Sequence, residues 1–197
     1  GSTAAVTISE YDKLSRKTAE YTPNFSADKS HGTLTTYYPS GAVKTQTDAL
    51  GNVTSFTYDA YGKTIEKTNP DGTVNGAEYD GLQREKATYF RVSEDYPKQI
   101  LTSTEYKFES GKLRTIKTTY ITAEKQVVTE TLADFRGNTV QEKTNGEIKR
   151  TSVYYANGQL KSQTDALGNT TKYEYNYLNK LTKTIAPFDE RNAETVN

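Results

Sequence analysis

The chain predicts an all-β fold, a single antiparallel meander of β-hairpin repeats. Three observations carry this: internal repetition, turn chemistry at regular intervals, and strand-like residues between the turns. Gln46–Asn52 recurs letter for letter as Gln163–Asn169. At the same offset of 117 residues, Tyr37-Tyr38 falls on Tyr154-Tyr155, Gly41 on Gly158, Tyr58 on Tyr175 and Pro70 on Pro187. Self-similarity of this kind marks a repeat architecture, in which each unit buries its surface against its neighbours.

The shorter period lies inside the longer one. Gly41, Gly51, Gly62, Gly72 and Gly81 follow one another at intervals of nine to eleven residues. After several glycines an aliphatic residue stands two places on, as at Val43, Val53, Val74, Leu113, Ile148 and Leu160. Asp48-Ala49-Leu50-Gly51, Asp59-Ala60-Tyr61-Gly62 and Asp134-Phe135-Arg136-Gly137 all read Asp-x-x-Gly. An Asp carboxylate accepts backbone N–H bonds two residues on, and Gly supplies the positive φ that closes a tight turn. Asn75-Gly76, Asn145-Gly146 and Asn157-Gly158 are further turn signals, since Asn-Gly suits two-residue hairpins.

Taken in order, repeat units are expected at about 11–36, 37–91, 92–152 (degenerate) and 153–188. Residues 189–197 form a tail or the start of another repeat, and 1–197 is read as one array. Within the units, 53–58 and 170–175 place aromatics two apart, on one face of a strand. Residues 100–108 and 113–121 read as strands about the turn Glu109-Ser110-Gly111-Lys112. Residues 126–132 pair back after Thr122-Ala123-Glu124-Lys125. A short helix over 123–134 is the rival there, opposed by Val127-Val128-Thr129 and Thr131. Turn spacing predicts roughly fourteen to sixteen strands. Accumulated strand twist predicts an elongated, curved sheet.

Composition bounds the function. Hydrophobic residues make up 33% of the 197, low for a globular core, yet sixteen Tyr and six Phe argue against disorder. Tyrosine buries a ring while its hydroxyl stays hydrated, so aromatic ladders can hold a thin sheet. Twenty-five basic residues balance twenty-five acidic ones without a clustered basic stripe, which argues against a nucleic-acid partner. No apolar run approaches membrane-spanning length, so membrane insertion is not expected. Absence of Cys excludes disulfides and thiolate metal sites. Gly1-Ser2 reads as a cloning remnant, so no export signal is expected in these residues.

Several residues invite a sharper chemistry. His31 has no second His or Cys at ligand spacing, and an exposed loop His is the simpler reading. Glu78 with Asp80, or Glu94 with Asp95, supplies the carboxyl pair of a glycosidase, but nothing local sets them across a cleft. Asp48 with Asn52, and Asp165 with Asn169, resemble calcium ligands, though Ala-Leu between them breaks the alternation a calcium loop needs. No cofactor and no metal are expected, and no enzyme. Tyr37, Tyr38, Phe56, Tyr154, Tyr155 and Tyr173, with Tyr58 and Tyr175, either stack on sugar rings or pack on one another as the sheet's own ladder.

With these residues in view, the chain resembles the RHS/YD-repeat family. Gly41, Asp48, Gly51, Asn52, Thr54, Phe56, Tyr58, Asp59, Gly62 and Lys63 follow the family pattern in order. Tyr79-Asp80-Gly81-Leu82-Gln83-Arg84 and Tyr11-Asp12-Lys13-Leu14-Ser15-Arg16 are further copies with Gln and Ser at the usual Gly. In the second long copy, with Gly158, Asp165, Gly168 and Tyr175, Asn176 and Asn179 stand at the usual Asp and Gly. The likeness is strong over 37–91 and 153–188 and weak over 92–150. It implies a spiral β-sheet in a secreted or surface-displayed bacterial protein. Such sheets form the shell of polymorphic toxins and toxin complexes around a toxin domain of the same polypeptide. Adjacent repeats and that domain are then the partners, with a glycan as the alternative through the aromatic rows. Ala186-Pro187-Phe188-Asp189-Glu190 is read as an ordinary repeat turn and not as a self-cleaving segment.

Overall fold

The computed structural model describes residues 5–23 and 29–187. Gly1-Ser2, Phe188-Asp189-Glu190 and the expected tail 189–197 lie outside the described residues. Among the described residues there are sixteen strands and no helix, in one sheet whose strand order is the order of the chain. The chain divides into two compact units, 1–101 and 102–197.

The first unit holds β1 (Ile8–Tyr11), β2 (Lys17–Tyr21), β3 (Gly32–Tyr37), β4 (Val43–Thr47), β5 (Val53–Tyr58), β6 (Thr64–Thr68), β7 (Val74–Tyr79) and β8 (Glu85–Arg91). Each pairs antiparallel with the next, and apart from residues 22–31 the connections are five residues long. The strands are rich in Thr, Val and Tyr, whose branched or aromatic side chains suit a pleated, half-buried surface. Burial concentrates at Ala19, Tyr21, Val74, Ala87 and Tyr89, so the core is a few patches against the sheet.

The second unit begins within β9 (Gln99–Glu109) and continues through β10 (Lys112–Tyr120), β11 (Gln126–Ala133), β12 (Thr139–Thr144), β13 (Glu147–Tyr154), β14 (Leu160–Asp165), β15 (Thr170–Tyr175) and β16 (Leu181–Ile185). Ser110-Gly111 and Asn145-Gly146 make two-residue turns with both central residues at positive φ, the geometry that matches strand twist. Residues 126–133 are strand, paired over eight residues with β10, so the helical alternative fails. Long cross-strand pairing of β-branched residues outweighs the helix formers there.

One turn reading is corrected. Asn75-Gly76 is not a hairpin turn but lies inside β7, where Gly76 pairs with Tyr89 of β8. A Cβ built on Gly76 would overlap the Tyr89 ring, so the glycine is there to admit an aromatic lid. Gly32 opposite Tyr21 repeats the device. Asn157-Gly158 does turn, but within a three-residue loop, with Gly158 left-handed.

Candidate functional site

The repeated unit itself is the feature the sequence singled out. Ten loops among the described residues share one backbone pattern. In the loop after Asp48, the Asp48 N–H donates to the Asn52 carbonyl and the Gly51 N–H to the Asp48 carbonyl, both at 3.0 Å. This is a type I turn closed by a left-handed residue, the three-residue hairpin with a bulge. Gly51, Gly62, Gly72, Gly137, Gly158 and Gly168 take that left-handed place, as does Gly41. Ser15, Gln83 and Asn179 take it without being glycine, at φ 61, 62 and 61.

The aspartates complete the loop. Asp48 Oδ1 accepts the N–H groups of Leu50 at 2.8 Å and Asn52 at 2.9 Å, while Oδ2 accepts Asn52 Nδ2 at 2.8 Å. Asp165 does the same with Leu167 and Asn169. Asp59 accepts from Tyr61 and Lys63 at 2.9 Å each. Asp12 and Asp80 add ion pairs to Arg16 at 2.6 Å and Arg84 at 2.7 Å. Side-chain bonds from Arg16, Asn52 and Asn169 hold the Asp12, Asp48 and Asp165 carboxyls below the usual range, and the Arg84 backbone N–H leads for Asp80. Asp48 and Asn52 therefore bind each other and the turn. The residue that gives the first of the two N–H bonds points outward, leaving Leu14, Leu50, Tyr61, Leu82, Leu167 and Leu178 exposed.

Tyrosines tie one hairpin to the next. The pairing register shifts just before Tyr11, Tyr37, Tyr58, Tyr79, Tyr154 and Tyr175, so each sits at a bulge. A bulge re-aims the side chain that follows it. Tyr37 donates its hydroxyl to the Lys17 carbonyl at 2.7 Å, Tyr154 to Thr139 at 2.9 Å, Tyr175 to Leu160 at 3.0 Å and Tyr79 to Thr64 at 3.3 Å. Tyr38 donates forward to the Phe56 carbonyl at 3.0 Å, and its counterpart Tyr155 to Tyr173 at 3.2 Å. Tyr38 meets Tyr58 edge to face at 6.1 Å, as Tyr155 meets Tyr175 at 6.1 Å.

In three turns the closing residue reaches the turn after next. Arg16 lies 4.5 Å from the Tyr37 ring centroid and donates to the Tyr38 carbonyl at 3.4 Å. Lys63 stands 4.5 Å from the Tyr79 ring and donates to the Gln83 carbonyl. Gln159 makes the equivalent bond to the Asn179 carbonyl at 2.8 Å. The repeat's groups thus act as a clasp whose parts are spread over its copies: tyrosine caps a carbonyl at Tyr37, Tyr79, Tyr154 and Tyr175, aspartate closes its own loop at Asp12, Asp48, Asp59, Asp80 and Asp165, and the side chains of Arg16, Lys63 and Gln159 grip the turn after next.

The same clasps occupy the hydroxyls of Tyr37, Tyr38, Tyr154 and Tyr155, residues considered for sugar stacking; Phe56 and Tyr173 contribute carbonyls to them and are half-buried. Of the other candidates, exposed His31 meets Ser30 Oγ through Nδ1 at 2.8 Å. Glu78 pairs with Lys98 at 2.7 Å while Asp80 serves its turn, so these two carboxyls have separate tasks. Among the described residues, no three His, Cys, Asp or Glu side chains group as a metal site.

One cluster was not anticipated from the sequence. Tyr89 is 3% exposed and donates its hydroxyl to Glu66 at 2.6 Å, and Arg91 joins the same carboxylate at 2.5 Å. Burial, then the bond to Glu66, pushes the Tyr89 phenol up to about 12. Lys98 lies 4.2 Å from the ring centroid. A glycine in mid-strand opposite an aromatic was the available clue, read instead as a turn.

The comparisons agree with the geometry. The RHS repeat family model matches residues 37–74 and 154–190, the two long copies. These two segments are similar to RHS repeats. Its fold is that of part of the solved structure of TcdB2-TccC3-TEV, with a TM-score of 0.62 at 14% identity. That match covers 91% of this chain and 10% of the other, so this chain spans about a tenth of its length. TcdB2-TccC3-Cdc42, and TcdB2-TccC3 without its hypervariable C-terminal region, each match at 11% identity over 91% of this chain and 12% of theirs, at a TM-score of 0.47. No curated protein sequence matches. No helix among the described residues is long and apolar enough to cross a membrane.

Proposed function

We propose that this chain is wall material: a structural repeat segment of a secreted or surface-displayed bacterial RHS/YD-repeat protein, whose sheet forms part of a shell enclosing or displaying a toxin domain of the same polypeptide. The turn-to-turn clasp is the observation that carries this reading. The motif's recurring groups, the aspartate carboxylate, the tyrosine hydroxyl and the closing basic or amide side chain, are spent on the sheet itself. A repeat whose signature residues bond to the next repeat is built to extend a surface. The similarity to RHS repeats and the likeness in fold to TcdB2-TccC3-TEV support the same role. Adjacent repeats are the first partner, and the enclosed domain is the second.

The test is limited proteolysis of the whole protein that contains this segment. The domain following the repeats is expected to resist protease while the repeats are intact. It should become digestible when Tyr38 and Tyr155 are both changed to Phe and Tyr58 and Tyr175 to Leu. Equal digestion of that domain in the intact protein and in the variant would remove the shell role.

A further inference from the structure

An open recess of about 630 Å³ lies in the first unit, walled by β6, β7, β8 and the loops at 59–63 and 80–84. We propose that it is a seat for a primary ammonium group, occupied by Lys98 of the same chain and able to take a lysine side chain of a partner peptide. The Lys98 ammonium is held in two ways. It stands 4.2 Å from the face of Tyr89 and bonds Glu78 Oε1 at 2.7 Å. An aromatic face with a carboxylate beside it is the arrangement that attracts a cation. The ring is fixed for the purpose, since Tyr89 is seated over Gly76 and its hydroxyl is bound to Glu66.

The recess has capacity that Lys98 does not use. Its volume far exceeds one lysine side chain, and the Tyr61 ring stands at its wall, 75% exposed. An ammonium brings three donors and no acceptor, so a carboxylate and an aromatic face suit it together. Arg91 holds Glu66 and Asp59 closes its own loop, so Glu78 is the carboxylate on this wall that an ammonium meets beside the Tyr89 face. Beside it, Lys63 over Tyr79 shows the same preference for an ammonium on a tyrosine face. This inference is independent of the shell role, since it concerns a surface that wall material and a free module would both expose.

The experiment follows backbone amide shifts of Gly76, Ala77 and Gln83 by NMR in the 197-residue chain. Titration with n-butylammonium is expected to show at least tenfold tighter binding to Lys98→Ala than to the unchanged chain. Adding Glu78→Gln to Lys98→Ala should abolish the gain. A short Gly-Lys-Gly-Lys-Gly peptide should shift the same amides in the unchanged chain, and its ε-acetylated form should not. Equal amine affinity with and without Lys98 would overturn the proposal. So would equal binding of the acetylated peptide, or shifts produced by maltose but not by the amine. If Lys98→Ala does not fold, the peptide pair on the unchanged chain decides alone.

Discussion

Asp48 and Asp165 occupy identical heptapeptides and make the same three hydrogen bonds. Each bond stabilises the ionised carboxyl, because its acceptors face only donors. The folded-state pKa values of Asp12, Asp48, Asp71, Asp80, Asp134 and Asp165 therefore lie below 3.8. A depressed carboxyl contributes stability above its unfolded pKa and loses it as pH falls through the folded one. The urea midpoint, followed by far-UV circular dichroism, is expected to fall as pH drops below 3.8. Replacing Asp48 and Asp165 by Asn should flatten that fall; an unchanged pH profile would show that these loops do not couple to folding. The role of these aspartates was legible in the sequence, since a loop that closes on itself is encoded within five residues. The left-handed Ser15, Gln83 and Asn179 were visible only as departures from Gly, and the structure shows the turn surviving all three.

Among the elements, strands 53–58 and 170–175 were legible with their boundaries, because Thr and Tyr at alternate places have one comfortable conformation. What the tyrosines do was not. Tyr38 and Tyr58 are twenty residues apart and meet only because an intervening hairpin returns the chain and a bulge turns Tyr58 towards its neighbour. Edge-to-face pairs of this kind contribute roughly 0.5–1.5 kcal/mol beyond burial. A double-mutant cycle on Tyr38→Leu and Tyr58→Leu, read by urea unfolding, should return a coupling of about 1 kcal/mol. The equivalent cycle on Tyr155 and Tyr175 should agree with it, since both separation and angle repeat. Coupling near zero in both would reduce the clasp to coincidence of packing. Asn75-Gly76 failed for a related reason: the same dipeptide serves a turn or a close approach, and only the partner strand decides which.

For the molecule as a whole, stability must be distributed. Few residues are fully buried, and each strand leans chiefly on its neighbours, the condition for stability summed from nearest-neighbour terms. Amide hydrogen exchange should accordingly be graded along the chain. The slowest exchange is expected in β7 and β8, where Val74, Ala87 and Tyr89 are buried, and the fastest strand should be β16, whose residues are all exposed. Uniform protection across every strand would indicate a single cooperative core instead.

The sequence by itself determined the class of fold, the hairpin repeat, the placement of most loops and the likeness to RHS repeats. These are local properties: alternation, left-handed positions and carboxylates that bond their own loop act within a few residues. Tertiary structure alone decided that tyrosine hydroxyls cap distant carbonyls, that Gly76 makes room for Tyr89, and that Glu66, Glu78, Arg91 and Lys98 gather about that ring. Those contacts depend on register and on where bulges fall, and both are set by pairing between strands that no single segment encodes.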